Sequence, residues 1–487
     1  MGYRHVVLLL GCLANIVSYT DRSSLSLTLL EMEKQLPYFG EAEQGIALSA
    51  FFCGYLLTQV AGGLLSRRYG PKRVIVAAVA VWSAATLGTP SAAAAGLGCL
   101  FAVRVVLGLG EGVLLPCLHD LALAWVPPVE RSTAASAMTS GQFVGTIIAY
   151  AASPLVSAWW PGVFYLFGSA GFLWCALFGA LATSSPHEHR CVGAVELRHI
   201  ASGRERDALG SDQLSLRTHR GDMELATGGA YTSSSRSGAG AVEAADYHMR
   251  SSSDSSTASS ADGVGSRASV ARLTGAAKRS CDVVPWRRLL CNRAALAIYV
   301  AHWTHNWAWY LLLSWLPKFL AAQGADTTRA GFLSLVPMIA AFAFANLGAS
   351  LADRVLLTRL RLSVSSVRRI MGAVAHLGPA AALTCLALSR SPGPVLSSAL
   401  ACGAIGVGAL VQSAFWANIM DIAPRHAGVL LGISNTIATL PGILCNLSTG
   451  WMLEHGTGWT PVLALAACLE VAGATVYVTL ARGEAQF

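Results

Sequence analysis

Runs of about 20 apolar residues, separated by short polar patches, recur along this 487-residue chain and constrain its fold more than any other feature. A helix of that length rises roughly 30 Å, the thickness of a bilayer's hydrocarbon core. Lipid offers the backbone no hydrogen-bond partners, so each run has to fold as a helix that satisfies its own N–H and C=O groups. Only 12% of the residues are charged and 54% are hydrophobic, whereas about a quarter of a soluble protein is charged. These values leave little room for a water-soluble enzyme and indicate a polytopic membrane protein.

Twelve spans are expected, over residues 5–29, 44–65, 74–92, 96–124, 132–156, 161–183, 294–321, 329–351, 370–388, 394–420, 427–452 and 458–481. The stretch 184–293 differs: Ser, Gly, Ala and Arg dominate it, and it holds too little apolar surface to offset its ordering entropy. The reading is therefore an all-α membrane protein of two six-helix halves, residues 1–183 and 294–487, joined by a disordered linker. Motifs repeat between the halves at an offset of roughly 290 residues, as internally repeated transporters do. Arg67, Arg68 and Arg73 between spans 2 and 3 match Asp353 and Arg354 between spans 8 and 9. Pro127-Pro-Val-Glu-Arg131 before span 5 matches Ala423-Pro-Arg425 before span 11.

The net charge of +8 does not imply nucleic acid, because the basic residues sit beside hydrophobic spans and form no aromatic-interleaved face. One side of the expected topology gathers thirteen Arg and Lys, from Arg4 to Arg482; the other holds Lys34, Lys318, Arg329 and Arg390. Both termini and the linker are thus expected in the cytoplasm. The 12 Cys are scattered singly, without metal-ligand spacing, and read as small core residues. Span 1 begins almost at Met1, so the address is expected to be internal or the amino end truncated. The sequon at Asn446 falls within an apolar run and is expected to stay unmodified. No phosphate-binding loop for ATP is visible, and no cofactor or metal is expected.

Ionisable groups inside apolar spans are the main pointers to function, since each costs about 2.5–3.5 kcal/mol at a helix centre. Arg104 and Glu111 in span 4 are seven residues apart, on one face but about 10 Å apart along the axis. An anion, a water or a charge from another helix has to come between or beside them. The other reading is that both merely neutralise partners elsewhere in the bundle. Gly108, Gly110 and Gly112 permit a close helix approach, and Pro116 is expected to kink the span. Arg22, next to Asp21, lies either deep in span 1 or snorkels to its far end. His302 and His305 share a face of span 7 and could bind an anion, carry a proton or simply hydrogen-bond neighbouring helices. His119-Asp120 lacks a nucleophile, so an enzyme is not expected.

The stretches Gly54-Tyr-Leu-Leu-Thr-Gln59-Val-Ala-Gly-Gly63, Arg104-Val-Val-Leu-Gly-Leu-Gly-Glu-Gly112, Trp125-Val-Pro-Pro-Val-Glu-Arg-Ser132, Asp421-Ile-Ala-Pro-Arg425-His-Ala-Gly428 and Gly432-Ile-Ser-Asn435 resemble the anion:cation symporters of the major facilitator superfamily. The resemblance covers both halves and omits the linker. It implies secondary transport of inorganic phosphate or another small anion by alternating access, coupled to Na⁺ or H⁺. Arg22, Arg104, His305, Asn306 and Asn435 would then bind substrate, with Glu111 and His119 coupling the ion. Arg67, Arg68, Arg73, Arg131, Asp353, Arg354 and Arg425 would serve as gating and structural motif. The vesicular glutamate members carry an Arg where this chain has His305 and a His where Leu48 stands, whereas the span-7 motif looks like the plant and algal branch. Organic anions such as ascorbate, a carboxylate or a sugar acid are the alternative cargo. A nutrient sensor signalling through linker serines such as Ser251 and Ser269 is the alternative of another class. The chain is expected to work as a monomer in a plasma, endomembrane or plastid bilayer.

Overall fold

The computed structural model describes residues 2–127, 130–200, 284–389, 391–424 and 426–487, giving only the backbone for 131–133 and 135–136. Six helical rods form the first half: α1 (Tyr3–Gln35), α2 (Glu41–Tyr69), α3 (Pro71–Ala95), α4 (Leu97–Trp125), α5 (Arg131–Ala151, continued by Ser153–Trp159) and α6 (Pro161–Leu181). The second half repeats the count with α7 (Arg293–Ala322), α8 (Thr327–Arg359), α9 (Val364–Leu388), α10 (Gly393–Ile422), α11 (Ala427–Glu454) and α12 (Trp459–Leu480).

Packing repeats as well as count. Within the first half α1 lies against α5, α2 against α4 and α3 against α6; six helices later α7 lies against α11, α8 against α10 and α9 against α12. The halves meet through α1 with α7, α2 with α11 and α5 with α8, a set that maps onto itself when the halves are exchanged. The two-half symmetry expected from the sequence is thus present in the packing. Helix α1 starts at the face where α6 ends, marked by the Tyr3 hydroxyl donating to Leu181 O at 2.8 Å. That face is called the terminal face below, and its opposite the far face.

Among the described residues nine rods are long and apolar enough to cross a membrane, and α5 makes ten if its two parts, bent by 42°, count as one. Helices α1 and α7 fall outside that count because they carry the polar residues of the centre. Several breaks follow from proline. Pro116 has no N–H for Gly112 O, and α4 breaks at Val113 as expected. Pro154 stands at the start of the second part of α5. Gly70, at φ 84°, turns the chain between α2 and Pro71, the first residue of α3. Close backbone packing fixes α2 on α4: a Cβ on Gly54 would lie 2.1 Å from Val105 O, and one on Gly108 2.0 Å from Phe51 O.

Two boundaries differ from expectation. Helix α1 runs past residue 29 to Gln35 because Glu31 and Glu33 find partners across the far face and do not terminate it. The linker expected over 184–293 is ordered at both ends: residues 184–200 fold back on α1, and a short helix, Trp286–Cys291, leads into α7. Glu196 accepts from the free N–H groups of Tyr3 and Arg4 at 2.9 Å, which caps α1. The stretch 201–283, with Ser251 and Ser269, lies outside the described residues, as do Arg390, Arg425 and the Arg131 side chain.

Candidate functional site

Helix α1 is buried almost continuously from Ser18 to Leu29, which brings Asp21 and Arg22 into the middle of the first half. Arg22 therefore lies deep and does not snorkel. Its Nη2 donates to Glu111 Oε2 of α4 at 2.9 Å, and Ser18 Oγ donates to the same oxygen at 2.7 Å. The guanidinium carbon sits 4.5 Å from the Tyr19 ring centre, 4.4 Å from Phe51 and 5.0 Å from Tyr55. Three aromatic faces thus share the cation with one carboxylate, the geometry in which a ring quadrupole attracts positive charge.

Arg104, 1% exposed, forms no ion pair with Glu111 one face further along α4, as the axial spacing required. The charge that comes beside Glu111 is Arg22 from another helix. Arg104 leaves Nε and Nη1 without hydrogen-bond partners, and both carboxyl oxygens of fully buried Asp21 are equally without one. Arg22, Arg104, Asp21 and Glu111 together carry two positive and two negative formal charges. The centre of this half balances with permanent cations, yet keeps unused donors on Arg22 and Arg104 and an unused acceptor, Glu111 Oε1.

The second half presents a different chemistry. His302 Nδ1 pairs with Ser434 Oγ of α11 at 2.8 Å. His305 Nδ1 lies 3.5 Å from Glu470 Oε1 of α12, and His376 Nδ1 of α9 makes a short contact with Glu470 Oε2. Neither Glu470 nor His376 was singled out from sequence. The signal was the one used for Glu111, an ionisable residue inside an apolar run, and it applied to both.

Between the halves, Gln59 of α2 donates to Thr439 Oγ1 at 2.8 Å and accepts from Asn435 Nδ2 at 2.9 Å. Asn306 donates to Ala438 O at 2.8 Å, and Tyr310, one turn along α7, meets Phe52 with ring centres 4.5 Å apart. Arg22, His305, Asn306 and Asn435 therefore lie on α1, α7 and α11, which meet at the interface, whereas Arg104 and Glu111 lie on α4, which packs on α2 and α3. His119 does not join them: it lies beyond the α4 break and its Nδ1 is bonded to Leu115 O of its own helix at 2.8 Å. Arg67, Arg68, Arg73, Asp353 and Arg354 are exposed on the terminal face and form no ion pair among the described residues.

Lys318 was counted with the loop charges, but it is buried within α7. Its Nζ donates to Glu33 at 2.9 Å and to Gln44 at 2.8 Å, and lies 3.5 Å from Glu41. Thr327 donates to Glu31, Tyr150 OH to Leu313 O at 2.9 Å, and Ser26 Oγ to Ser314 O at 2.7 Å. This set ties α1, α2 and α5 to α7 and α8 at the far face. Asn446, the sequon residue, is fully buried there and accepts from Trp315 Nε1 at 2.8 Å.

Two pseudo-equivalent six-helix halves, tied at one face and facing each other across charged and aromatic side chains, define a secondary transporter of the alternating-access class and not an enzyme. Comparison with known proteins narrows this. Residues 11–446 match the model of the Major Facilitator Superfamily, and the chain belongs to that family. It is 32% identical over 484 residues to the sodium-dependent phosphate transport protein 1, chloroplastic, of Arabidopsis thaliana, covering 99% of this chain and 80% of that protein. It is 30% identical over 486 residues to the chloroplastic ascorbate transporter of the same plant, covering 99% of this chain and 75% of the relative. The crystal structure of the D-xylose–proton symporter superposes with a TM-score of 0.65 at 14% identity, covering 99% of this chain and 98% of that one, a likeness of fold.

Proposed function

We propose that this chain is a secondary transporter of a small anion, inorganic phosphate first, driven by a cation gradient. The observation that carries the reading is the contact of Arg22 with Glu111 inside an aromatic cage. An ionised Glu111 and a substrate anion compete for the same guanidinium. Neutralising Glu111, with a proton or with a Na⁺ ion held at its unused Oε1, releases Arg22 to the substrate. Cation and anion then favour each other's binding, which is what symport requires.

Arg104 offers the second cationic contact through its unpaired Nε and Nη1. His305, Asn306 and Asn435 supply donors from the opposite half, within an interface that substrate entry would rearrange. The far face is closed by the Lys318 cluster in this state, so access is from the terminal face. The excess of arginine at that face supports a cytoplasmic location for it and for both termini. The subunit works alone, because each half supplies the other's complement.

The similarity to an ascorbate transporter supports an organic-anion cargo as the second reading. Uptake of labelled phosphate into proteoliposomes, with ascorbate and carboxylates as competitors and with pH, Na⁺ and voltage set independently, separates the two. Saturable phosphate uptake that one cation gradient accelerates is expected. Uptake of no anion under any gradient would exclude transport and favour the sensor reading.

A further inference from the structure

The buried carboxylate of the second half lacks what Glu111 of the first half has, a permanent cation at hydrogen-bond distance. Glu470 is fully buried, and among the described residues its only charged partners are imidazoles, His305 of α7 and His376 of α9. The other charged and polar groups on the neighbouring helices each have a partner of their own. Helix α7 adds His302, which faces His305 and is bonded to Ser434. Helix α9 adds Arg368, which is spent on Asp421 of α10 at 2.6 Å and on Ser413 O at 3.0 Å. Helix α10 contributes Asn418, bonded to Tyr477 OH of α12 at 3.2 Å. Among the described residues no lysine or arginine pairs with the carboxylate.

A lone carboxylate in a dry interior is strongly disfavoured, so it has to be neutralised locally. Arginine does this without exchanging a proton; imidazole and carboxylate do it only by holding one. One nitrogen or oxygen from each of the three side chains lies within 4.8 Å of the other two. His305 Nδ1 and Glu470 Oε1 face each other at 3.5 Å, too long for a closed hydrogen bond, and His376 Nε2 is buried without a partner, so the cluster has room to take up a proton. Phe415 lies against all three histidines, its ring centre 4.9 Å from His302, 6.2 Å from His305 and 6.4 Å from His376. It sits there because α10 breaks at Ala414. Two members are sealed at 0% exposure, whereas His305 at 7% is the edge nearest the interface.

We propose that His305, Glu470 and His376 form a proton-binding site in the second half, loaded and emptied through His305. A hydronium ion gives a proton to the His305 imidazole and leaves as water, the Nδ1 side of the ring shares the added charge with Glu470 and His376, and release to water reverses the same step. On α7 the site lies next to Asn306, whose Nδ2 donates to the Tyr310 hydroxyl at 3.4 Å. Loading it removes net negative charge from the half that faces the incoming anion. Its part in coupling rests on the transport reading above, but proton binding itself does not.

Infrared difference spectra of the purified full chain in lipid, recorded across pH without substrate, test the site directly. A protonation step with imidazole and carboxyl bands is expected, lost in Glu470→Gln and in His376→Asn and retained in Glu111→Gln. Two variants guard against one failing to fold. Titrations of wild type and Glu470→Gln that superimpose would overturn the proposal. So would one equivalent of a divalent metal found in the purified protein and absent from the variant, since two imidazoles and a carboxylate suit zinc. In proteoliposomes each coupled proton supports roughly tenfold accumulation per pH unit. Glu470→Gln is expected to lose about one such factor from gradient-driven uptake. If wild type carries no anion, the transport reading fails while the infrared result still decides the site.

Discussion

Arg22 donates to Glu111 across the gap between α1 and α4 at 2.9 Å, while Arg104, on the same helix as Glu111, is left with two unpaired donors. The arginine nearest in sequence is not the partner. Helix geometry explains this: seven residues along one helix set two side chains too far apart, whereas the long side chain of Arg22 reaches Glu111 from a separate helix.

If Glu111 and the anion compete for Arg22, transport is pH-dependent with a definite sign. Protonation removes the competitor, so anion affinity is highest at low pH and falls as pH rises through the titration of Glu111, by up to about tenfold per unit. Glu111→Gln should bind anion without that slope. Equilibrium binding of labelled phosphate as a function of pH measures it, and an unchanged slope in the variant would remove Glu111 from the coupling role.

The pair also bears on stability. Arg22→Ala leaves Glu111 buried without its cation, and breaking a buried pair in this way costs about 3–5 kcal/mol. Arg22→Ala combined with Glu111→Ala should recover part of the loss. Thermal unfolding in detergent of the wild type, both single variants and the double variant gives the coupling energy; strict additivity would mean that the contact contributes no coupling energy.

Arg104→Ala should abolish anion uptake in protein that still folds and inserts, because its unused donors await a ligand. Arg104→Lys, which keeps the charge but not the planar fork, should bind more weakly by about 1.5–3 kcal/mol. Native uptake by Arg104→Ala would rule out the assigned role.

Packing of α2 on α4 predicts a contrast between two glycines. Gly108→Val places a Cβ 2.0 Å from Phe51 O and should destabilise the first half by about 1–3 kcal/mol or more. Gly63→Ala meets nothing within 4 Å and should be neutral or stabilising by about 0.5–1 kcal/mol. Melting temperatures of the two variants test the close approach.

Lys318→Ala removes charge-assisted hydrogen bonds worth about 1.5–3 kcal/mol each from the far face. That is enough to raise the far-face-open population roughly tenfold or more. A cysteine placed at Ser314 in the variant should react correspondingly faster with an impermeant thiol reagent added from the far side. An unaltered labelling rate would show that Lys318 does not hold this face shut.

Most of the architecture was legible in the chain because lipid imposes a one-dimensional rule: each long apolar run becomes a helix, and the count of twelve with its division into halves follows. The same rule misled at two points. Lys318 looked like a loop charge, but Glu33 and Gln44 keep it inside α7; and the linker looked unstructured from residue 184, but Glu196 caps α1. Arg104 and Glu111 stood out as charges in an apolar run, and Glu470 and His376 met the same criterion without being marked. What no pattern along the chain contained was the partnership of Arg22 with Glu111, or of Glu470 with two histidines. The sequence by itself determined which segments are helices and which polar groups they carry into the bilayer. Only the tertiary structure decided which charges neutralise which, because these contacts join residues 89 and 94 positions apart, and pairing depends on distances of a few ångströms between separate helices.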